Sequence, residues 1–550
     1  MEKVIIYQIF TRLFGNRNLS RKENGTIAEN GSGKMADFTP KVLKDIAAMG
    51  VSHVWYTGII RHATQTDYTQ YGIPRQHPAI VKGRAGSPYA ITDYYDVDPD
   101  LAVNVEQRMQ EFEELVKRTH EAGLKVVIDF VPNHVARQYH SICMPRGIKG
   151  LGEDDDKRNG FDPQNNFYYC PGERFTPYFD LYQGEKEPYI EEPAKATGND
   201  HFDSAPSKTD WYETVKLNYG VDYYAGGVGY FTPTPNTWYK MTEILLFWAS
   251  KGIDAFRCDM AEMVPAEFWR FATKAVHEVY PDVKFIGEVY NPYDYHRYLL
   301  NGFDWLYDKV GMYDTMRNVI CQHAPASDIS RAWQQTDDIR DHMLYFLENH
   351  DEQRIASDFF AADGRKGIPG MIASVLMQQN PFMFYAGQEY GERGMDKEGF
   401  SGNDGRTTIF DYWSIDTLCR AAAKKLTEEE KYIYDMYKRT LSIARKEKAV
   451  SDGVFFDLMY VNPQLYRQYA FLRRMDNDLL LVVTNFVDQE VEVDVRIPAH
   501  AFDYLKMKES TVTATDLLTR EKQSMILHKD GAVRMKIGGC SGRVWKLKIA

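Results

Sequence analysis

Short apolar runs alternate with amphipathic stretches through roughly the first 450 residues. Val4-Ile5-Ile6-Tyr7-Gln8-Ile9-Phe10 reads as a buried strand. Leu43, Ile46 and Met49 then share one helical face, and Gly50 supplies the stop. Val54–Thr57 is the next strand. Met109, Phe112, Leu115 and Val116 stand at helical spacing within Asn104–Ala122, ahead of a third strand over Leu124–Phe130. Gly252–Arg257, Val283–Gly287, Trp305–Asp308, Met343–Leu347 and Phe382–Tyr385 continue the series. Eight strands alternating with helices predict an α/β chain closed as a (β/α)8 TIM barrel. A doubly wound open sheet competes, but it usually announces itself with a Gly-rich turn after its first strand, and this sequence has none there.

The rhythm breaks twice. From about Ala136 to Thr237 the chain is rich in Gly, Pro, Asp, Asn and Tyr, with no long helical pattern. A structureless loop of that length does not suit a compact domain, so a small inserted domain is expected after the third strand. Beyond about Lys448, strict alternation takes over at Val491, Val493, Val495 and Ile497, and again at Val533, Met535 and Ile537. That pattern predicts a C-terminal antiparallel β-sandwich. The expected division is residues 1–135 and 238–450 for the barrel, 136–237 for the insert, and 451–550 for the sandwich.

Composition narrows the function. The formal charge of −12 disfavours nucleic acid and anionic membrane surfaces as partners. Aromatic residues make up 14%, which suits either a large core or stacking on sugar rings. The six cysteines show no metal-binding spacing. Cys258 reads as a buried thiol, and only Cys143 and Cys170 are candidates for a local disulfide. Glu153–Asp156 reads as a solvated acidic turn, and Asn18, Asn24 and Asn30 as turn residues. No basic region followed by an apolar run opens the chain, so a cytoplasmic location is expected unless a leader has been removed.

Four segments place polar groups where apolar strands end. They are Asp129-Phe130-Val131-Pro132-Asn133-His134, Asp254-Ala255-Phe256-Arg257-Cys258-Asp259, Phe285-Ile286-Gly287-Glu288 and Phe346-Leu347-Glu348-Asn349-His350-Asp351. In a barrel these ends converge on one mouth, where the active sites of this fold lie. Any one of them alone reads as a structural ion pair or a cap. Four together point to chemistry, because charges at that depth are costly unless paired or functional.

In residue type, order and spacing, these segments resemble the four signature regions of the α-amylase family of glycoside hydrolases (family thirteen). Tyr7-Gln8-Ile9-Phe10 and Gly387-Gln388-Glu389 are similar to it as well. The resemblance implies Asp259 as nucleophile, Glu288 as general acid/base and Asp351 as the third carboxylate, which holds sugar hydroxyls. It implies that Arg257 pairs with the nucleophile, that Asp129 orients Arg257, that His134 and His350 bind the sugar, and that Tyr89 stacks on it. Asn133 corresponds to a residue that often ligates a structural calcium; no other cofactor is implied. Physical logic agrees: breaking an acetal needs a proton donor on the leaving oxygen and a carboxylate at the anomeric carbon. The expectation is that Arg257 keeps Asp259 ionised, residues two apart sharing one side of a strand.

Three departures stand out. Glu262 and Met263 occupy positions where many family members carry Lys and His, which alters a leaving-group subsite and weakens the case for calcium. Val215-Lys216-Leu217-Asn218 is similar to the Pro-Lys-Leu-Asn stretch of the neopullulanase and cyclomaltodextrinase branch, with Val for Pro. The expected function is therefore a retaining hydrolase of starch-type α-glucans or maltooligosaccharides. The alternatives are a transglycosylase using the same carboxylates and a non-catalytic carbohydrate-binding relative. Oligomeric state and linkage preference stay open.

Overall fold

The computed structural model describes residues 2–549. Eight parallel strands close a barrel: β1 (Ile5–Phe10), β2 (His53–Thr57), β3 (Lys125–Phe130), β4 (Ala255–Cys258), β5 (Lys284–Gly287), β6 (Trp305–Tyr307), β7 (Met343–Phe346) and β8 (Phe382–Tyr385). Each strand pairs with its sequence neighbour, and β1 closes on β8 with Ile5 opposite Phe382. All eight correspond to apolar runs read from the sequence. The helix expected before β2 spans Pro40–Met49; Thr39 caps it through the amide of Val42, and Gly50 ends it at φ 111°. A Cβ at Gly50 would meet the Leu441 backbone at 2.9 Å, so both conformation and space require glycine there.

The barrel is packed, not hollow. Ile6, Trp55, Val127, Ala255, Ile286, Tyr307, Leu344, Phe346 and Met383 form one buried cluster inside it. Two residues further along their strands stand Gln8, Asp129 and Arg257, all buried. The strand period of two therefore lifts a polar layer directly above an apolar one.

Between β3 and the helix Asn236–Ala249 lies the insert, built of strands only two or three residues long. Its strand Thr214–Lys216 pairs antiparallel with His134–Ala136, bringing Lys216 opposite His134. The acidic stretch is only partly a solvated turn. Asp155 accepts from the amides of Asn166 and Phe167 and from the Tyr169 hydroxyl, so it organises the insert. Cys143 and Cys170 are free thiols, Cys170 buried against the Phe202 carbonyl, so the candidate disulfide is absent. Cys258 is buried and free.

The C-terminal region holds a six-stranded antiparallel sheet, ordered β9 (Val454–Asp457), β10 (Gln468–Met475), β11 (Asp478–Asn485), β16 (Ser541–Lys548), β13 (Ser510–Asp516), β14 (Lys522–Leu527). A two-stranded ladder of β12 (Val491–Arg496) and β15 (Ala532–Ile537) accompanies it. Val495, Val533, Met535 and Ile537 bury the ladder's apolar side in the core shared with the barrel's outer layer. Where a sandwich was expected, the strands form one antiparallel sheet of six and a separate ladder of two. Among the described residues no helix is long and apolar enough to cross a membrane.

Candidate active site

Arg257 is the hub of the barrel mouth. It is fully buried, and its guanidinium lies over the rings of Trp55, Tyr89 and Tyr307 at 5.2, 5.5 and 5.5 Å. Nη1 donates to Asp259 Oδ1 at 2.8 Å and reaches Asp129 Oδ1 at 3.4 Å. Nη2 lies 2.7 Å from Glu288 Oε2. In-register pairing explains this convergence: Arg257 is opposite Asp129 on β3 and Ile286 on β5, and the amide of Glu288 donates to the Cys258 carbonyl.

Glu288 is held at both oxygens. Oε2 accepts from the Met260 amide at 2.7 Å, and Oε1 accepts a short bond from the Tyr290 hydroxyl. Across the mouth, His350 Nε2 lies 3.1 Å from Asp351 Oδ2 and 2.6 Å from the Tyr89 hydroxyl. Gln8 Nε2 lies 2.8 Å from the other ring nitrogen, Nδ1. The Tyr89 ring stacks on His350 at 5.2 Å. His134 meets the Tyr89 backbone and lies 5.2 Å from the ring of Trp211, an insert residue. The mouth thus gathers Asp259, Glu288, Asp351, Arg257, His350, Tyr89 and His134.

Electrostatics follow from four carboxyls around one guanidinium. Burial first, then the Glu288 carboxylate, pushes Asp259 well above the usual carboxylate range, and Arg257 pulls the other way. Burial and Glu288 also lift Asp351, to about 7, against the opposing charges of Arg257 and Arg406. Burial, opposed by Arg257, puts Asp129 at about 6. Burial, helped by Arg257's charge, holds His350 well below the usual histidine value, and burial with Lys216 and Lys82 takes His134 down to about 3. Arg257, expected to keep Asp259 ionised, does oppose the rise, but it faces more than one carboxyl. Its charge is divided among Asp259, Asp129 and Glu288.

Tyr290 and Trp211 were not singled out from the sequence, and Glu262, Glu348 and Asn133 make contacts that it did not reveal. Tyr290 follows Glu288 by two residues, a spacing that offered a signal. Glu262 accepts from the amides of Tyr290 and Asn291 at 2.9 and 3.0 Å, pinning the segment that carries Tyr290. The carboxyl of Glu348 turns away to Arg354 at 2.9 Å and to the Ile355 amide, which anchors the turn bearing His350 and Asp351. Asn133 donates to the Gly198 carbonyl, and its own carbonyl oxygen faces Lys216 Nζ at 2.5 Å.

Residues 8–449 match the family model "Alpha amylase, catalytic domain". The chain belongs to the α-amylase family. Alpha-amylase 3 of Dictyoglomus thermophilum is 24% identical over 424 residues, covering 72% of this chain and 74% of that protein. A cyclomaltodextrinase of Thermoanaerobacter pseudethanolicus is 23% identical over 556 residues, covering 95% and 77%, which agrees with the branch suggested by Lys216-Leu217-Asn218. Among solved structures, the α-amylase of Geobacillus thermoleovorans complexed with acarbose superposes with a TM-score of 0.65 at 18% identity, covering 99% of this chain and 98% of that one.

Proposed function

We propose that this protein hydrolyses α-glucosidic bonds of starch-type glucans or maltooligosaccharides by double displacement, with Asp259 as nucleophile and Glu288 as acid/base. The observation that carries the reading is a single guanidinium holding both carboxyls through its two terminal nitrogens. That closeness suits the short carboxyl separation of retaining enzymes, about 5–5.5 Å, rather than the wider gap that houses a water in inverting ones.

In the first step an Asp259 oxygen attacks the anomeric carbon, the bond to the leaving oxygen breaks, and Glu288 gives that oxygen its proton. In the second, water attacks the same carbon, its proton returns to Glu288, and the Asp259 carboxylate departs. Oε2 of Glu288 is filled by Arg257 and the Met260 amide, so the transferable proton belongs on Oε1. Tyr290 stands there until the leaving oxygen takes its place. A proton on Glu288 also removes the largest repulsion on Asp259, leaving the nucleophile to Arg257. Asp351 and His350 sit opposite, placed to hold sugar hydroxyls, and neutral His350 can both donate and accept.

Support for the substrate class comes from the relatives named above and from the acarbose bound in the Geobacillus enzyme. The test is incubation with amylose, pullulan, β-cyclodextrin and maltotriose, with products identified by chromatography. Shortened maltooligosaccharides are expected. Elongated products at high maltotriose would indicate that a sugar hydroxyl intercepts the glycosyl-enzyme, and no change in any glucan would overturn the reading.

A further inference from the structure

A lysine ammonium closes the junction between barrel and insert. Lys216 ends the insert strand that pairs with His134–Ala136, and its side chain is only 2% exposed. Nζ lies 2.5 Å from Asn133 Oδ1, 2.6 Å from Asp200 Oδ1 and 3.4 Å from the Met263 carbonyl. Three oxygens from three segments thus surround one buried cation. Asn133 lies three residues past β3, next to His134. Asp200 belongs to an insert turn. Met263 follows β4, four residues after Asp259. The ring of Tyr223 lies 5.4 Å away on a further face.

Amide, carboxylate and main-chain carbonyl oxygens are the donors a calcium ion uses, and Asn133 and residue 263 are where the family resemblance implies one. They do not fit calcium here. An ammonium already fills the space between them, and a divalent ion sharing these oxygens would meet it at contact range. Three N–H donors suit three acceptors. Asp200 balances the charge, without which a buried ammonium would be strongly unfavourable.

We propose that Lys216 is a built-in substitute for a structural cation, clamping the insert to the strand ends that carry His134 and Asp259, so that the junction needs no metal. The geometry requires only residues of this chain and is independent of which carboxylate performs catalysis.

The test uses thermal midpoints of the full chain with chelator, with calcium and with magnesium. Wild-type protein is expected to keep its midpoint in all three conditions. Lys216→Ala removes the ammonium but leaves the three oxygens. Its midpoint should fall by roughly 5 °C or more in chelator and rise again with calcium, and less with magnesium, which tolerates an irregular oxygen cage poorly. Lys216→Met, similar in length and uncharged, should also melt lower than wild type. Loss of wild-type stability on chelation, restored by calcium, would overturn the proposal. So would a Lys216→Ala midpoint equal to wild type or indifferent to calcium. Should that variant fail to fold, the chelator and calcium titrations of wild type and Lys216→Met still decide.

Discussion

Arg257 donates to Asp259 at 2.8 Å from two residues earlier in the chain. The same guanidinium also holds Glu288 and Asp129, so its planar fork matters as much as its charge. Arg257→Lys keeps the charge but offers one compact ammonium, which cannot reach three carboxyls in fixed directions. The expected outcome is a loss in kcat of at least about 10²-fold with the fold retained. Kinetics on an aryl α-maltoside, alongside a thermal melt, would check it; near wild-type turnover would contradict it.

Asp259→Asn and Glu288→Gln should each lower kcat by about 10²–10⁴-fold or more, because the proposed mechanism gives the two groups separate halves of one displacement. Burial of both side chains makes neither variant a surface change. Both remove an ionisable group from a crowded site, so neither should melt much below wild type. A variant that keeps its activity on a natural glucan would dismiss that residue from its role.

Much of this site was legible before any fold was known. The eight strands announced themselves as apolar runs, and the period of two placed Arg257 and Asp259 on one side of β4. What the sequence did not reveal depends on contacts between distant segments. Trp211 lies 77 residues beyond His134 in a stretch without periodicity, yet their rings lie 5.2 Å apart. The division of Arg257 among three carboxyls needs the register of β3, β4 and β5 together. Lys216 was visible as a motif residue, but its burial between Asn133 and Asp200 exists only once the insert folds back on β3.

Trp211 supplies a binding prediction. Aromatic faces pack against the C–H faces of sugars, and such contacts are worth about 1 kcal/mol. Trp211→Ala should raise KM by roughly 5-fold, with a smaller change in kcat, measured on maltotriose. An unchanged KM would remove Trp211 from the binding surface.

Glu389 supplies a pH prediction. It is buried, bonded to the Tyr7 hydroxyl and the Gly387 amide, and burial pushes its carboxyl up to about 7. A carboxyl whose folded value is raised contributes stability below its unfolded value and loses that contribution as pH climbs through the folded one. Stability should therefore decline between about pH 4.5 and 7 by up to about 3 kcal/mol from this group. Glu389→Gln should flatten that part of the curve. Equal slopes for the two proteins in denaturant titrations across this range would contradict the assignment.

The proposed double displacement through Asp259 and Glu288 requires net retention. Two inversions at one carbon leave the configuration unchanged, so the new reducing end must emerge as the α-anomer. Proton NMR in the first minutes of maltooligosaccharide hydrolysis observes that anomer before mutarotation mixes the two. The α-signal is expected first, with β-signal growing in only at the rate of mutarotation. An initial β-product would contradict both the mechanism and the pairing of these two carboxylates.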